Sequence, residues 1–284
     1  MSFPNIPKTF VYLNENGESI VFTFASGYLI DKPQGIDTLS ISHSEAQGIN
    51  QVGSTFQSSN VKSRPVTMKG RIVGLFQQDK KTNLLSVVRP DLSARLYADD
   101  YYLEVRPTAT PTIEGREKNA SFQFSMLAAY PYWQKDSSVV ATLSGVQKRF
   151  KFPWNISRKY RFGEVVTAQF ITVNNEGQVP VPYTATFTAV DTVVSPKLID
   201  AYTNEYLLLN KTLVAGEKVV VQITHDRTYV NSSVDGECRG ALDLGSSFYR
   251  LKVGDNVIKP EATSGKANLN VTIDFAAEIV GIAL

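Results

Sequence analysis

Few residues in this sequence are of types that could do chemistry, and their spacing does not bring them together. There are two histidines, His43 and His225, and one cysteine, Cys238. Neither histidine falls in an HExxH pair or a comparable ligand spacing. His43, in "SISHSEAQGINQ", is expected in a polar, solvated loop. His225, followed by Asp226 and Arg227, is expected at the surface near a strand end. Cys238 would need a neighbouring base to become a nucleophile, and the sequence offers none. Adjacent carboxylates such as Asp99 and Asp100 point apart on a strand or turn, and Glu114 with Glu117 has no spacing that selects a general acid and a base. No GxSxG elbow, Walker loop or dinucleotide-type glycine turn is present. We therefore expect no enzyme activity: no catalytic residues, no cofactor-binding residues, no metal ligands and no cofactor.

The densest cluster of recognition-type residues lies between 147 and 161. Lys148, Arg149, Lys151, Arg158, Lys159 and Arg161 alternate there with Phe150, Phe152, Trp154 and Tyr160, with no acid among them. Such interleaving suits single-stranded nucleic acid, which stacks on aromatics and pairs its phosphates with cations. It equally suits a protein interface, or a strand with Phe150 and Phe152 inward and Arg149 and Lys151 outward. The whole chain argues against nucleic acid. Its 29 basic and 27 acidic residues leave a net charge of only +2, too little for strong counterion release.

The elements that must carry these residues are mostly strands. "FVYL" and "SIVFTF" flank a turn at Asn14–Gly17 and read as a hairpin. "RPVTMKGRI" places Val66, Met68 and Ile72 on one face, and "FQFSM" does the same for Phe122, Phe124 and Met126. One helix is expected, at about 79–89, with Asp79 as N-cap, Leu84, Leu85 and Val88 on the apolar face, and Pro90 as the stop. After Trp133 the polar stretch "QKDSSVV" reads as a domain edge. Beyond it strands alternate with turns, the pattern of an antiparallel sandwich. At 284 residues the chain can bury two cores. Two domains are expected, 1–138 and 139–284. The last strand, within "NLNVTIDFAAEIVGIAL", belongs to the second or returns to the first.

The chain opens Met-Ser-Phe-Pro-Asn without a basic segment before an apolar run, so no export signal is expected. No apolar run approaches the roughly 18–20 residues of a membrane span. With one cysteine, no intrachain disulfide is possible.

Taken in order, several stretches resemble the distal tail protein (Dit) family of siphophages and prophages. They are the N-terminal hairpin with Gly17, "RPVTMKGRIVG", the helix with Leu84, Leu85 and Pro90, "ASFQFSMLAAYPYW", "FKFPW", "VNNEGQVPVPYTATF" and "SSFYRLKVGDNVI". The resemblance implies a mainly β chain. A β-sandwich-like N-terminal domain with one helix assembles into a homohexameric ring, and a galectin-like β-sandwich follows it. It also implies a structural role at the virion tail tip after synthesis in the host cytoplasm. The ring would join the tail tube protein to tail-tip, tail-associated or receptor-binding baseplate proteins and leave a channel for DNA. No stable nucleic-acid binding and no membrane insertion are implied. The alternative is a carbohydrate-binding module that attaches the particle to the host cell wall. Candidates for an interface or domain joint are Tyr130, Pro131, Tyr132 and Trp133, where Pro131 interrupts a strand ladder, and Phe152, Pro153 and Trp154.

Overall fold

The computed structural model describes residues 9–115, 120–143, 146–148, 163–165 and 170–283. It divides into two compact units. The first comprises residues 1–136 and 278–284, and the second comprises 137–277.

The first unit begins with β1 (Phe10–Asn14), β2 (Ser19–Phe22), β3 (Tyr28–Ile30), β4 (Ile41–Ala46), β5 (Thr55–Val61) and β6 (Arg64–Ile72). Helix α1 (Gln77–Val87) follows, then β7 (Ala94–Ala98), β8 (Tyr101–Pro107), β9 (Thr112–Glu114), β10 (Ala120–Ala128) and β11 (Trp133–Lys135). The main sheet runs β2-β1-β7-β8-β10-β6-β3, with antiparallel neighbours throughout. Period-two alternation decides the faces. In β10, Phe122, Phe124 and Met126 are buried while Ser121, Gln123 and Leu127 are exposed. The β6 register then sets Met68 against Phe124 and Val66 against Met126. Tyr12 packs edge-on to Phe124, and Phe22 stacks on Phe122 and Phe124, so three strands share one aromatic core.

Helix α1 starts earlier than the sequence suggests. Phe76, in the left-handed region at φ 56°, is the N-cap, and its carbonyl accepts the first helical bond from Lys80 N–H. Asp79 therefore sits in the first turn and is not the cap. The helix stops at Val87, because Pro90 has no N–H to continue the ladder and keeps Arg89 out of the helical region. Leu84, Val87 and Val88 face the core, whereas Leu85 is exposed. "SIVFTF" also pairs only to Phe22; Phe24 lies in the following turn, exposed.

The second unit holds β12 (Val139–Leu143), β13 (Val146–Lys148), β14 (Gly163–Val165), β15 (Ile171–Asn175), β16 (Thr184–Ala189), β17 (Val193–Asp200) and β18 (Tyr206–Leu208). Then come β19 (Thr212–Leu213), β20 (Lys218–Ile223), β21 (Thr228–Ser232), β22 (Gly236–Glu237), β23 (Gly254–Ser264) and β24 (Leu269–Phe275). One sheet runs β12-β24-β16-β20-β21-β22, the other β15-β23-β17-β18 with β19 beside β17. Inward residues of both, among them Phe187, Val221, Ile273, Leu198 and Ile258, form a single core. This is the sandwich expected of strands separated by turns. After β24 the chain returns to the first unit as β25 (Glu278–Ile279), paired antiparallel with β11.

Candidate functional site

Two features of the first unit stand apart from its apolar core: a buried polar knot around Arg64 and an exposed two-stranded arm. The knot forms at the N-terminal end of β6. Arg64, Val66, Met68, Gly70 and Ile72 share one parity, and all five face inward. A guanidinium is thereby placed where its neighbours on the strand are apolar. Arg64 donates through Nε to the Pro131 carbonyl at 2.7 Å, and through Nη1 to the Gly35 and Ile36 carbonyls at 2.9 and 3.0 Å. Its Nη2 donates to the Val280 carbonyl. One side chain thus ties together the segment after β3, the corner between β10 and β11, and the returning C-terminal segment. Burial lowers its pKa from the ordinary guanidinium value, while Asp37 pulls the other way.

Ile36 is the second centre. Its carbonyl accepts from Arg64, from the Trp133 indole N–H at 3.1 Å and from the Ile282 amide at 3.0 Å. Trp133 is completely buried, and its one polar atom is satisfied by that bond, as a buried indole requires. Gly35, at φ +84°, must be glycine here: a Cβ would lie 2.0 Å from the Pro65 carbonyl oxygen. Tyr130 and Tyr132 are half-buried with rings 5.4 Å apart and edge-on, and the Tyr130 hydroxyl donates to Glu278 at 2.5 Å. Pro131 is buried, with its carbonyl bonded to Arg64. The structure therefore brings Tyr130, Pro131, Trp133 and Arg64 into one knot. Phe152, Pro153 and Trp154 lie outside the described residues, as does most of the basic segment around them.

The second feature is the β4–β5 hairpin. Among the described residues its strands pair only with each other, from Ile41–Val61 to Ala46–Thr55. Every residue of β5 is exposed, and Phe56, Ile49 and Val52 are 66, 98 and 102% accessible. His43, expected in a loop, lies in β4. Its Nδ1 is 2.8 Å from the Ser59 hydroxyl and its ring meets Phe56 edge-on. The loop expectation failed because the arm's alternation is written in Ser, Gln and Asn, without a buried face to mark it. A two-stranded ribbon without a covered face is marginal in water on its own.

The remaining reactive-type residues stay apart. Cys238 is partly buried beside Lys211 and Asp235, and burial raises its thiol pKa. His225 occupies the turn between β20 and β21. Among the described residues no three His, Cys, Asp or Glu side chains gather as a metal site. Sequence reasoning missed Arg64, Ile36 and Glu278. The signal for Arg64 was available, because it shares parity with Val66 and Met68. Ile36 and Glu278 act through long-range register, which carries no local signal.

Residues 176–278 match the family model described as "Siphovirus-type tail component, C-terminal domain". No curated protein sequence matches this chain. Among solved structures, the SPP1 Dit protein, described as a paradigm of the hub adsorption apparatus in Gram-positive-infecting phages, is similar with a TM-score of 0.69 at 14% identity, over 95% of this chain and 98% of that chain. A chain of the phage P2 baseplate in its activated conformation with Ca is similar with a TM-score of 0.50 at 10% identity, over 97% of this chain and 99% of that chain. At these identities the likeness is one of fold, and it extends through both units.

Proposed function

We propose that this chain, whose residues 176–278 match the siphovirus-type tail component model, is the structural hub of a phage tail tip, acting as a homohexameric ring. The first unit forms the ring. The ring joins the tail tube above to tail-tip or baseplate proteins below and leaves a central channel through which DNA passes. The role is mechanical, without catalysis.

The observation that carries this reading is the exposed β4–β5 arm. An isolated hairpin with Phe56, Ile49 and Val52 in water gains little by itself. It becomes favourable when a neighbouring chain covers it. The rigid attachment of the C-terminal segment through Arg64 and Trp133 supports the same reading, since a hub must transmit force between its parts without opening. The hub fold of the SPP1 Dit protein adds support from likeness of form.

The test is sedimentation of the intact chain and of a variant in which residues 41–61 are replaced by a short Gly-Ser turn. The intact chain should sediment as six copies and the variant as one, with both units still folded by circular dichroism. A chain that remains single both free and in tails, and that binds cell-wall glycans, would contradict the hub and favour a carbohydrate-binding module.

A further inference from the structure

An antiparallel sheet with one buried face normally presents polar residues on the other. The first unit departs from this on β2, β1, β7 and β8. Register sets Val21 beside Val11, Val11 beside Tyr97, and Tyr97 beside Tyr102. All four have the outward parity, opposite to buried Ile20, Tyr12 and Leu96. An apolar and aromatic row therefore crosses the outside of four strands. The Tyr97 and Tyr102 rings lie 5.8 Å apart, and the Arg95 guanidinium sits 4.6 Å over Tyr102. Beside the row is a groove of about 750 Å³, lined by Leu13, Arg106 and Leu127, where β8 pairs with β10. Tyr and Arg over an apolar floor are the residue types that anchor protein interfaces.

The same unit carries an exposed arm and this grooved outer face, two different surfaces. A ring closes through such unlike patches, each copy offering one to the next. We infer that the β4–β5 arm of one copy lies across the outer β2-β1-β7-β8 face of its neighbour, with Phe56 over the Val21–Tyr102 row. This inference rests on the ring proposed above. The dimensions agree: seven residues of β5 extend about 20 Å, and four strands spaced at about 4.8 Å present a row of about 15 Å. The arm's 21 residues, 41–61, match the roughly 20–30 that one side of a standard interface uses. Charge permits the contact. Glu45 is the arm's one formal charge, and around the groove Arg95 and Arg106 are balanced by Glu15 and Glu104.

Thiol cross-linking between differently tagged copies tests this in a Cys238→Ser background. One copy carries Phe56→Cys, and the other carries Val21→Cys, Leu127→Cys or, as a control on the helix, Leu85→Cys. All four positions are exposed, so the fold should survive, as checked by circular dichroism and sedimentation. A short bismaleimide should join the copies at Val21 and Leu127 and not at Leu85. A six-copy ring without either cross-link would overturn the arm placement and leave the ring standing. Chains that never associate would overturn both.

Discussion

Replacing Arg64 with Met separates two opposed effects in the knot. Methionine keeps an unbranched apolar stem of similar reach and removes the guanidinium. The change relieves a buried cation, which can favour the apolar substitute. It also strips a donor from four carbonyls. Ile36 retains the Trp133 and Ile282 donors, so its loss costs little. The Pro131 carbonyl bond is buried, and those to Gly35 and Val280 are partly so. At about 1 kcal/mol for each of these three, the loss is about 3 kcal/mol. Relief of guanidinium burial subtracts part of it, leaving about 2 kcal/mol of destabilisation. Arg64 links Val280 of the returning segment to Ile36, the acceptor of the Ile282 amide, so the loss should appear first as local opening there. Hydrogen exchange is the assay. About 2 kcal/mol corresponds to about 30-fold faster exchange of the Ile282 amide, with the second unit's amides unchanged. Arg64→Lys should not rescue it, since one ammonium cannot span three segments as the fork does. Exchange at Ile282 equal to or slower than in the parent would refute the reasoning, by showing that the buried charge costs more than its bonds return.

Two further outcomes follow from local geometry. Phe76 holds a left-handed conformation at φ 56° and is 75% exposed, so Phe76→Gly should leave the melting temperature unchanged or raise it, by up to about 1 kcal/mol in stability; a clear fall in a thermal melt would show that the ring packs within the chain. In the second unit, burial pushes the Glu217 carboxyl up, but the Ser232 hydroxyl at 2.6 Å, the Val214 N–H at 3.0 Å and Lys211 at 3.0 Å together hold it below its ordinary value of 4.5. A lowered carboxylate contributes stability above its unfolded pKa and loses it as pH falls through the folded one. Urea midpoints of that unit should therefore drop below about pH 4.5, and Glu217→Gln should flatten the acid limb; an unchanged limb would remove Glu217 as its cause.

The sequence was legible where physics is local. Alternation in "FQFSM" and "RPVTM" fixes which face of β10 and β6 is buried, and Asn14–Gly17 punctuates the first hairpin, because both depend on near neighbours. The helix was legible as an element, but its start was not. Phe76 caps it from a left-handed conformation that residue type disfavours, and only the surrounding chain imposes it. The knot was half legible. Trp133 stands out by composition, but its partners Ile36 and Ile279 are separated from it by about a hundred residues or more, and the register that brings them together has no local trace. The arm was illegible for a different reason. Strand signals are burial signals, and β4 and β5 bury almost nothing within their own chain.

Electron cryo-microscopy of tails carrying this protein decides whether it is a ring-forming hub. The expected result is a ring of six copies at the tail tip, with the first units around a central channel and each β4–β5 arm on the adjoining subunit. A tail tip that lacks the chain, or holds it as isolated copies with the arm in solvent, would contradict it.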